Sequence, residues 1–303
     1  MLPNAVMTAA HWEIDMFVIT GITGQVGGVV ARRLLAADED VRAVVRNAAK
    51  GAAWAQQGCE VALAEMDDAD ALARAFAGAK GVFILLPPNF DPSAGFPESR
   101  RIIAALRAAL ESARPEKVVC LSTIGAQATQ TNLLQQLQIM EQELGSLPMP
   151  VAFLRAGWFI ENAAWDVEPA RTTGVIPSFL QPLDKPVPMV ATSDIGRVAA
   201  DLLREEWEGR RVVELEGPWR VSPNDVAAAF SKLLGRPVRM EPVPRDTWET
   251  LFLSQGMKNP TPRMQMLDGF NEGWIGFEAP QAETLKGTVT VETVLQSLIE
   301  RVD

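Results

Sequence analysis

The sequence predicts an α/β fold in which a doubly wound parallel sheet is joined to a smaller, mixed C-terminal lobe. Two observations support this prediction. Short apolar runs alternate with amphipathic helical segments through the first half of the chain, and after residue 154 the alternation gives way to proline-punctuated loops. The chain has 303 residues, 48% of them hydrophobic, which is enough apolar material for a full core.

The apolar runs of the first half are the predicted strands, and they lie at residues 17–20, 41–45, 60–64, 82–86, 118–121 and 151–154. Between the first two runs, Val26, Val30 and Leu34 recur at helical spacing and predict a helix that covers the sheet. Further helices are predicted at 70–76, 98–113, 132–144, 194–204 and 223–234. Residues 212–216 are predicted to form one more strand that returns to the sheet, so the two parts of the chain interleave.

Composition excludes several classes of partner. The formal charge of −10 and the isoelectric point near 4.8 argue against direct binding of nucleic acid or of an anionic membrane. No apolar stretch approaches the ~18 residues of a membrane-spanning helix. Cys59 and Cys120 lack metal-ligand spacing and are interpreted as small buried hydrophobes, so we predict no metal site and a reducing, cytoplasmic environment.

A glycine-rich turn follows the first predicted strand and opens the first helix. Glycines in this context form a tight turn, let the backbone approach a pyrophosphate and let the helix pack on the strand. The free N–H groups at the helix end attract phosphates. We therefore predict a Rossmann-type dinucleotide site, with a plain tight βα loop as the alternative. The predicted contacts are Gly21, Thr23, Gly24, Gln25, Val26 and Gly27.

The end of the second strand favours NADP(H) over NAD(H). NAD-preferring sites place a carboxylate there for the ribose hydroxyls, whereas an arginine accommodates a 2′-phosphate. Arg46 occupies this position, and Asp38, Glu39 and Asp40 precede the strand at its other end. Lys50 supplies a second charge to the phosphate or is a solvated helix lysine.

The domain boundaries follow from these assignments. Residues 16–157 are predicted to be the NAD(P)-binding Rossmann domain, joined by the returning strand near 212–216, and residues 158–303 the interleaved substrate lobe. Residues 1–15 contain no Lys or Arg and carry Glu13 and Asp15, which is atypical of a targeting segment. They are interpreted as an N-terminal extension outside the fold, whose role is open.

The glycine turn, together with segments 41–46 (VRAVVR) and 153–162 (FLRAGWFIEN), resembles the NmrA-like family of atypical short-chain dehydrogenases/reductases. The likeness covers most of residues 16–244. It implies either NADPH-dependent reductases, for instance of quinones, or dinucleotide-sensing regulators. It also implies that Asp67 lies near adenine and that Leu86 and Pro87 lie near the nicotinamide half. Asp67 and Asp68 are equally consistent with helix N-caps.

Typical short-chain dehydrogenases use a tyrosine whose pKa is lowered by a lysine four residues on. This chain contains no tyrosine, and residues 118–184 contain neither lysine nor histidine. Ser122 ends the fifth strand where the family's catalytic serine would lie, but a hydroxyl alone orients a carbonyl without acidifying it. The helix that would carry the missing pair offers Glu141 and amides, of which Gln136 and Gln138 are expected to be solvated.

Phe159 and Asn162 follow the sixth strand and are predicted to lie near nicotinamide and substrate. Arg155, inside an apolar run, is expected to pair with a carboxylate of the fold. Residues 256–260 and 268–273 are interpreted as ordered loops. Aromatic side chains concentrate in the C-terminal half, where most are expected to be core, namely Trp158, Phe159, Trp165, Phe179, Trp248, Phe252, Phe270 and Trp274.

These observations predict an NADPH-dependent oxidoreductase that transfers hydride to a planar apolar acceptor, such as a quinone, without a Tyr-Lys pair. A quinone suits such a site because its reduced oxyanion is stabilised by the ring and takes a proton from water. The alternative is a non-catalytic NADP(H) redox sensor acting through a protein partner, whose identity the sequence leaves open.

Overall fold

The computed structural model describes residues 16–278 and 282–301, so the predicted extension at 1–15 lies outside the described residues. Its strands are β1 (Met16–Ile19), β2 (Asp40–Val45), β3 (Glu60–Leu63), β4 (Ala79–Ile84), β5 (Lys117–Thr123), β6 (Val151–Ala156), β7 (Trp158–Phe159), β8 (Val175–Ser178), β9 (Met189–Val190), β10 (Arg210–Glu216), β11 (Arg239–Pro242) and β12 (Glu283–Lys286). Its α-helices are α1 (Gln25–Leu35), α2 (Ala48–Ala55), α3 (Ala69–Phe76), α4 (Pro97–Ala113), α5 (Gln135–Leu144), α6 (Val167–Thr172), α7 (Thr192–Arg204), α8 (Pro223–Leu234), α9 (Trp248–Ser254), α10 (Thr261–Glu272) and α11 (Val291–Glu300). Two 3₁₀ helices span Ile160–Asp166 and Arg245–Thr247.

Eight parallel strands form the central sheet, in the order β12-β10-β6-β5-β4-β1-β2-β3. The six strands predicted in the first half are all present, and the returning strand is β10, which lies between β6 and β12. The strand order reverses between β1 and β4, which is the switch point where open α/β sheets bind ligands. The predicted Rossmann-type α/β fold is confirmed.

Helices cover both faces of the sheet. On one face, α1 packs over β1 and β2, and α7 packs over β4, β5 and β6, through fully buried side chains such as Val30 and Leu203. A Cβ at Gly196 of α7 would lie 2.5 Å from the Cβ of Val29, so only glycine allows this helix pair to approach so closely. On the other face, α3, α4 and α5 bury side chains such as Leu72, Leu106 and Met140.

A third apolar cluster forms the smaller lobe, built from α6, α8, α9, α10, α11 and the two-stranded β8–β11 sheet. Trp248 and Phe252 are fully buried there, and the ring of Phe179 contacts both. Phe270 is buried as well and meets Trp158 edge to face. The expectation that most C-terminal aromatics are core is confirmed for these side chains, because their rings fill the lobe.

One feature of the C-terminal half differs from expectation. Residues 268–273 were predicted to be a loop, but α10 continues to Glu272 and ends at Gly273, which adopts φ +93°. Pro262 lies within the first turn of that helix, where proline is tolerated because the N–H has no intrahelical partner. In the described ranges, no helix is long and apolar enough to cross a membrane.

Candidate functional site

Gly21 and Gly27 of the turn between β1 and α1 each have a steric reason to be glycine. Gly21 adopts φ +63°, and its carbonyl accepts the N–H of Gly24 at 2.9 Å, which closes the turn. A Cβ at Gly27 would overlap that same carbonyl oxygen. The tight turn that the sequence predicted is present, and it needs glycine at these two positions.

The start of α1 offers backbone donors to a ligand. Gly24 is the N-cap and has no side chain that could accept from the N–H groups of the first turn. The first N–H with an acceptor inside the helix is that of Gly28, which donates to the Gly24 carbonyl at 3.1 Å. The first turn carries no acidic residue, and Thr23, Gly24 and Gln25 are exposed. These donors and the helix dipole fit the pyrophosphate of a dinucleotide.

Arg46 lies directly after β2, beside this helix end, and is exposed. No described residue forms a hydrogen bond or ion pair with its guanidinium. Asn47 is occupied as the N-cap of α2, accepting from the Ala49 N–H at 2.8 Å, and Lys50 is exposed in the first turn of α2. Glu39 lies at the opposite end of β2, paired with Arg204. The charge beside the turn is therefore cationic and available to an anionic group.

The two aspartates after β3 have separate roles. Asp68 is the N-cap of α3 and accepts from the Ala71 N–H at 2.9 Å. Asp67 does not cap the helix; its carboxylate lies 3.1 Å from Nε of Arg101 and remains partly exposed. The predicted position of Asp67 near adenine stays a prediction.

The residue that lies against the glycine turn at the end of β4 is Leu85. A Cβ at Gly21 would lie 3.2 Å from the Cβ of Leu85, and the Leu85 N–H donates to the hydroxyl of Thr20 at 2.9 Å. Leu86 is buried among the side chains of the α3–α4 face, so it offers a bound dinucleotide its backbone alone. Pro87 is half-buried. The sequence did not single out Leu85, because leucine in an apolar run carries no local signal of its direction.

Glu141 of α5 and Arg155 of β6 form a buried ion pair. Two guanidinium nitrogens of Arg155 donate to the two carboxylate oxygens of Glu141 at 2.8 and 2.7 Å. The Ser122 hydroxyl also donates to Glu141 at 2.6 Å, and Arg210 adds a contact at 2.9 Å. The expectation that Arg155 pairs with a carboxylate is confirmed.

This network fixes the charge state of the region. Burial alone would lower the pKa of Arg155, but the hydrogen bonds and charges of Glu141 and Glu278 outweigh it and raise that pKa further. The Ser122 hydroxyl is buried and donates its proton into the network. The side chains of Ser122 and Glu141 thus form their hydrogen bonds within this network, together with Arg155 and Arg210.

Gln136 and Gln138 of α5 were expected to be solvated, and for Gln136 that expectation was wrong, whereas Gln138 is half-buried. Gln136 is buried, accepts from the Ser99 hydroxyl at 2.6 Å and donates to the carbonyl of Asn89 at 3.0 Å. Gln138 donates to the carbonyl of Ala128 at 2.9 Å. Both amides tie α5 to neighbouring loops, which a helical pattern cannot reveal because the loops approach only in the folded chain.

A short parallel pairing of β7 with β9 holds the segment after β6. Gly157 precedes β7, and a Cβ there would lie 2.6 Å from the carbonyl oxygen of Pro188. Glu161 then accepts from the N–H of Thr192 at 2.9 Å and from its hydroxyl at 2.6 Å, at the first residue of α7. That hydroxyl lies 3.2 Å from the Gln25 side-chain oxygen. The segment is thereby linked to the glycine turn, a link the sequence did not predict.

The predicted substrate residues both lie on this segment. Phe159 is half-buried and packs against the apolar cluster beneath α1 and α7, whereas Asn162 is exposed on the 3₁₀ helix. The ring of Trp158 points elsewhere, against Phe270, with ring centroids 5.2 Å apart. The structure places Phe159 and Asn162 on the chain segment linked to Gln25, and their contact with substrate stays a prediction.

The loop after β4 is bridged to the smaller lobe. The Asp91 carboxylate accepts the N–H groups of Lys258 and Asn259 at 2.9 and 2.7 Å, and the Asn259 amide donates to the carbonyl of Pro92 at 2.8 Å. The two backbone hydrogen bonds lower the pKa of Asp91 below its ordinary value. The predicted loop at 256–260 is thus anchored to the Rossmann part of the chain.

Comparison with known proteins agrees with this geometry. The model of the NmrA-like family matches residues 15–273. The chain is 27% identical over 259 residues to NAD(P)H azoreductase of Xenophilus azovorans, covering 85% of each protein, and 26% identical over 244 residues to quinone oxidoreductase 2 of Escherichia coli, covering 80% and 82%.

Solved structures show the same fold. The NADPH-dependent quinone oxidoreductase of Escherichia coli in complex with NADPH superimposes with a TM-score of 0.77 at 22% identity, covering 95% of this chain and 100% of that one. The triphenylmethane reductase of Citrobacter sp. in complex with NADP(H) gives 0.75 at 22% identity, covering 93% and 99%. With the family model matching most of its length, the chain belongs to the NmrA-like family.

Proposed function

We propose that this protein is an NADPH-dependent oxidoreductase that transfers hydride to a quinone-like or other planar apolar acceptor without a Tyr-Lys pair. The observation that carries the proposal is the exposed Arg46 guanidinium, free of partners among the described residues, next to the open N-terminus of α1. The helix end would hold the pyrophosphate, and Arg46 would hold the 2′-phosphate by charge-assisted hydrogen bonds.

The other predicted contacts are assigned to the remaining parts of the same dinucleotide. Thr23, Gln25, Val26 and Lys50 would line the phosphates, and Asp67 the adenine. Leu86 and Pro87 would border the nicotinamide half, where Leu85 supports the turn at Gly21. NADPH supplies the hydride when bound, and the residues of this chain orient it and exclude water from one side.

The choice of acceptor follows from the ion pair between Glu141 of α5 and Arg155 of β6. General acid catalysis commonly contributes about 10²- to 10⁴-fold, and we infer that Ser122 and Glu141 do not supply it, because their side chains form hydrogen bonds with each other and with Arg155. Hydride transfer gives the acceptor two electrons and leaves NADP⁺. A quinone then needs only a proton from water to reach the hydroquinone, whereas an alkoxide formed from a simple ketone is far more basic.

The relatives support this reading at the level of chemistry. The relatives are an NAD(P)H azoreductase and a quinone oxidoreductase, and a solved structural neighbour is an NADPH-dependent quinone oxidoreductase. Azo compounds and quinones share a planar conjugated system that accepts hydride and delocalises the resulting charge. We infer the same acceptor class for this chain.

The test is NADPH oxidation by purified protein against a panel of quinones, azo dyes and simple ketones. We expect turnover with quinones or azo dyes, little with ketones, and a loss of turnover in Arg46→Asp at limiting NADPH. Arg33→Asp, an equal charge change on the exposed face of α1, is the matched control.

Tight NADPH binding without turnover on any acceptor would reject the enzyme and favour the redox sensor. A sensor of the cofactor ratio must bind NADPH and NADP⁺ with different affinity, so calorimetric titration with both forms is the second measurement. Equal affinities would reject ratio sensing.

A further inference from the structure

Trp165 is the most exposed of the large apolar side chains in the described residues, with 87% of its surface open to solvent. Tryptophan is usually buried to a large extent, since its side chain carries 150–250 Å² of mostly apolar surface. A single exposed apolar residue needs no explanation by itself. The exposure of Trp165 is of interest because this residue lies on the segment after β7, which carries the predicted substrate residue Asn162.

The 3₁₀ helix Ile160–Asp166 places Trp165 in line with Asn162. In such a helix, residues three apart lie one above the other, with a rise of about 2.0 Å per residue, so these two side chains share one face about 6 Å apart. Both are exposed. The face formed by Ile160 and Ala163 is buried in the smaller lobe, where the helix packs against α11.

The 3₁₀ helix is also connected to the glycine turn through side-chain contacts. Glu161 accepts from both the N–H and the hydroxyl of Thr192, and Thr192 contacts Gln25 at the start of α1. The exposed face of Asn162 and Trp165 therefore belongs to a segment that starts at the predicted substrate residue Phe159 and is hydrogen-bonded to the first residue of α7. The indole of Trp165 is presented to solvent on this segment.

We propose that Trp165 is a specificity-determining substrate residue, whose indole stacks on the outer ring of a planar acceptor of two or more rings. The proposal rests on the proposed function of the same site. A single-ring acceptor that reaches Asn162 does not extend to Trp165, whereas a fused bicyclic quinone or an azo dye spans both. Stacking of this kind corresponds to roughly 2- to 10-fold in affinity.

The kinetic test compares 1,4-naphthoquinone with 1,4-benzoquinone in Trp165→Ala and Trp165→Phe. We expect Trp165→Ala to raise KM for naphthoquinone by roughly 2- to 10-fold. We expect kcat and the benzoquinone constants to stay unchanged, because the stacking energy is lost equally from the bound substrate and from the transition state. Trp165→Phe should restore most of the affinity. Trp219→Ala, which removes another half-exposed tryptophan beside α8, is the control.

A binding test separates this proposal from the proposed function. A planar azo dye is titrated against protein saturated with NADP⁺, which needs no turnover, and its dissociation constant is measured by calorimetry. Weaker binding to Trp165→Ala than to Trp219→Ala supports the proposal even if no acceptor is reduced. Equal binding, no binding at all, or a change of sedimentation in Trp165→Ala that marks a self-association surface would overturn it.

Discussion

The Ser122 hydroxyl donates to a carboxylate oxygen of Glu141 across 2.6 Å, and both groups are buried. The hydroxyl at the end of β5 therefore points into α5 and serves the ion pair of Glu141 with Arg155. Because this hydroxyl is bound to Glu141, we assign it a structural role. Replacing Ser122 tests whether the hydroxyl also has a catalytic role.

Ser122→Ala should leave kcat within about twofold of the parent, because the removed hydroxyl supplies no proton to the acceptor. It should lower the free energy of unfolding by roughly 1.5 to 3 kcal/mol, since a buried hydrogen bond to a charged group is lost. Urea unfolding and NADPH oxidation measure the two effects. Ser99→Ala, which removes another buried hydroxyl, bound to the neutral amide of Gln136, is the control. A hundredfold loss of kcat confined to Ser122→Ala would establish catalysis by this hydroxyl.

Arg46→Asp should weaken NADPH binding by roughly 1.5 to 3 kcal/mol, the range for hydrogen bonds to a charged group. The affinity for NADH, which lacks the 2′-phosphate, should not fall. Calorimetric titration with both cofactors measures the difference. Unchanged NADPH affinity would show that the 2′-phosphate binds elsewhere, with Lys50 as the next residue to replace.

Gly27→Ala should disturb the turn itself, because the new Cβ would overlap the carbonyl oxygen of Gly21. We expect a stability loss of about 1 to 3 kcal/mol from overpacking and NADPH binding weakened by roughly tenfold or more. Thermal unfolding and cofactor titration measure these effects. Gly276→Ala is the matched control, because a Cβ there meets no heavy atom within 4 Å. Equal behaviour of the two variants would contradict the steric account of the turn.

The Asp91 bridge should depend on pH in the acid range. The folded pKa of Asp91 lies below its ordinary value, so its stabilising effect is complete above the unfolded pKa, ~3.9, and is lost as pH falls through the lower folded value. Hydrogen exchange should show the Lys258 and Asn259 amides protected at neutral pH in the parent and unprotected in Asp91→Ala, which has no side-chain acceptor. Protection that survives in Asp91→Ala would assign the loop's order to other contacts.

The sheet and its glycine turn were predictable because their signals are local. Each strand of the first half is a short apolar run, and Gly21, Gly24 and Gly27 stand between a strand and a helix. The strand β12 escaped prediction because Glu283, Thr284 and Lys286 leave no apolar run on this edge strand. A polar edge strand is recognised only by the neighbour it pairs with, here β10.

The site was predictable only in part, for a related reason. The position of Arg46 beside the glycine turn could be predicted from the strand order, because the end of β2 must lie beside the start of α1. The link from Glu161 to Thr192 joins residues 31 positions apart, and nothing in either segment signals the other. The direction of Leu85 against Gly21 depends on the register between β1 and β4, which includes a shift after Met16.

The ion pair between Glu141 of α5 and Arg155 of β6 also sets a limit on protein engineering. A lysine grafted at position 141 to rebuild a dehydrogenase dyad would face Arg155 and Arg210, both of which now contact the carboxylate of Glu141. Such a graft would put a third cation beside these two and leave a buried guanidinium without its bidentate partner, a loss that costs about 3 to 5 kcal/mol. Conversion of this scaffold to alcohol chemistry thus requires coupled replacements on α5 and β6, and libraries that vary one position at a time will not find it.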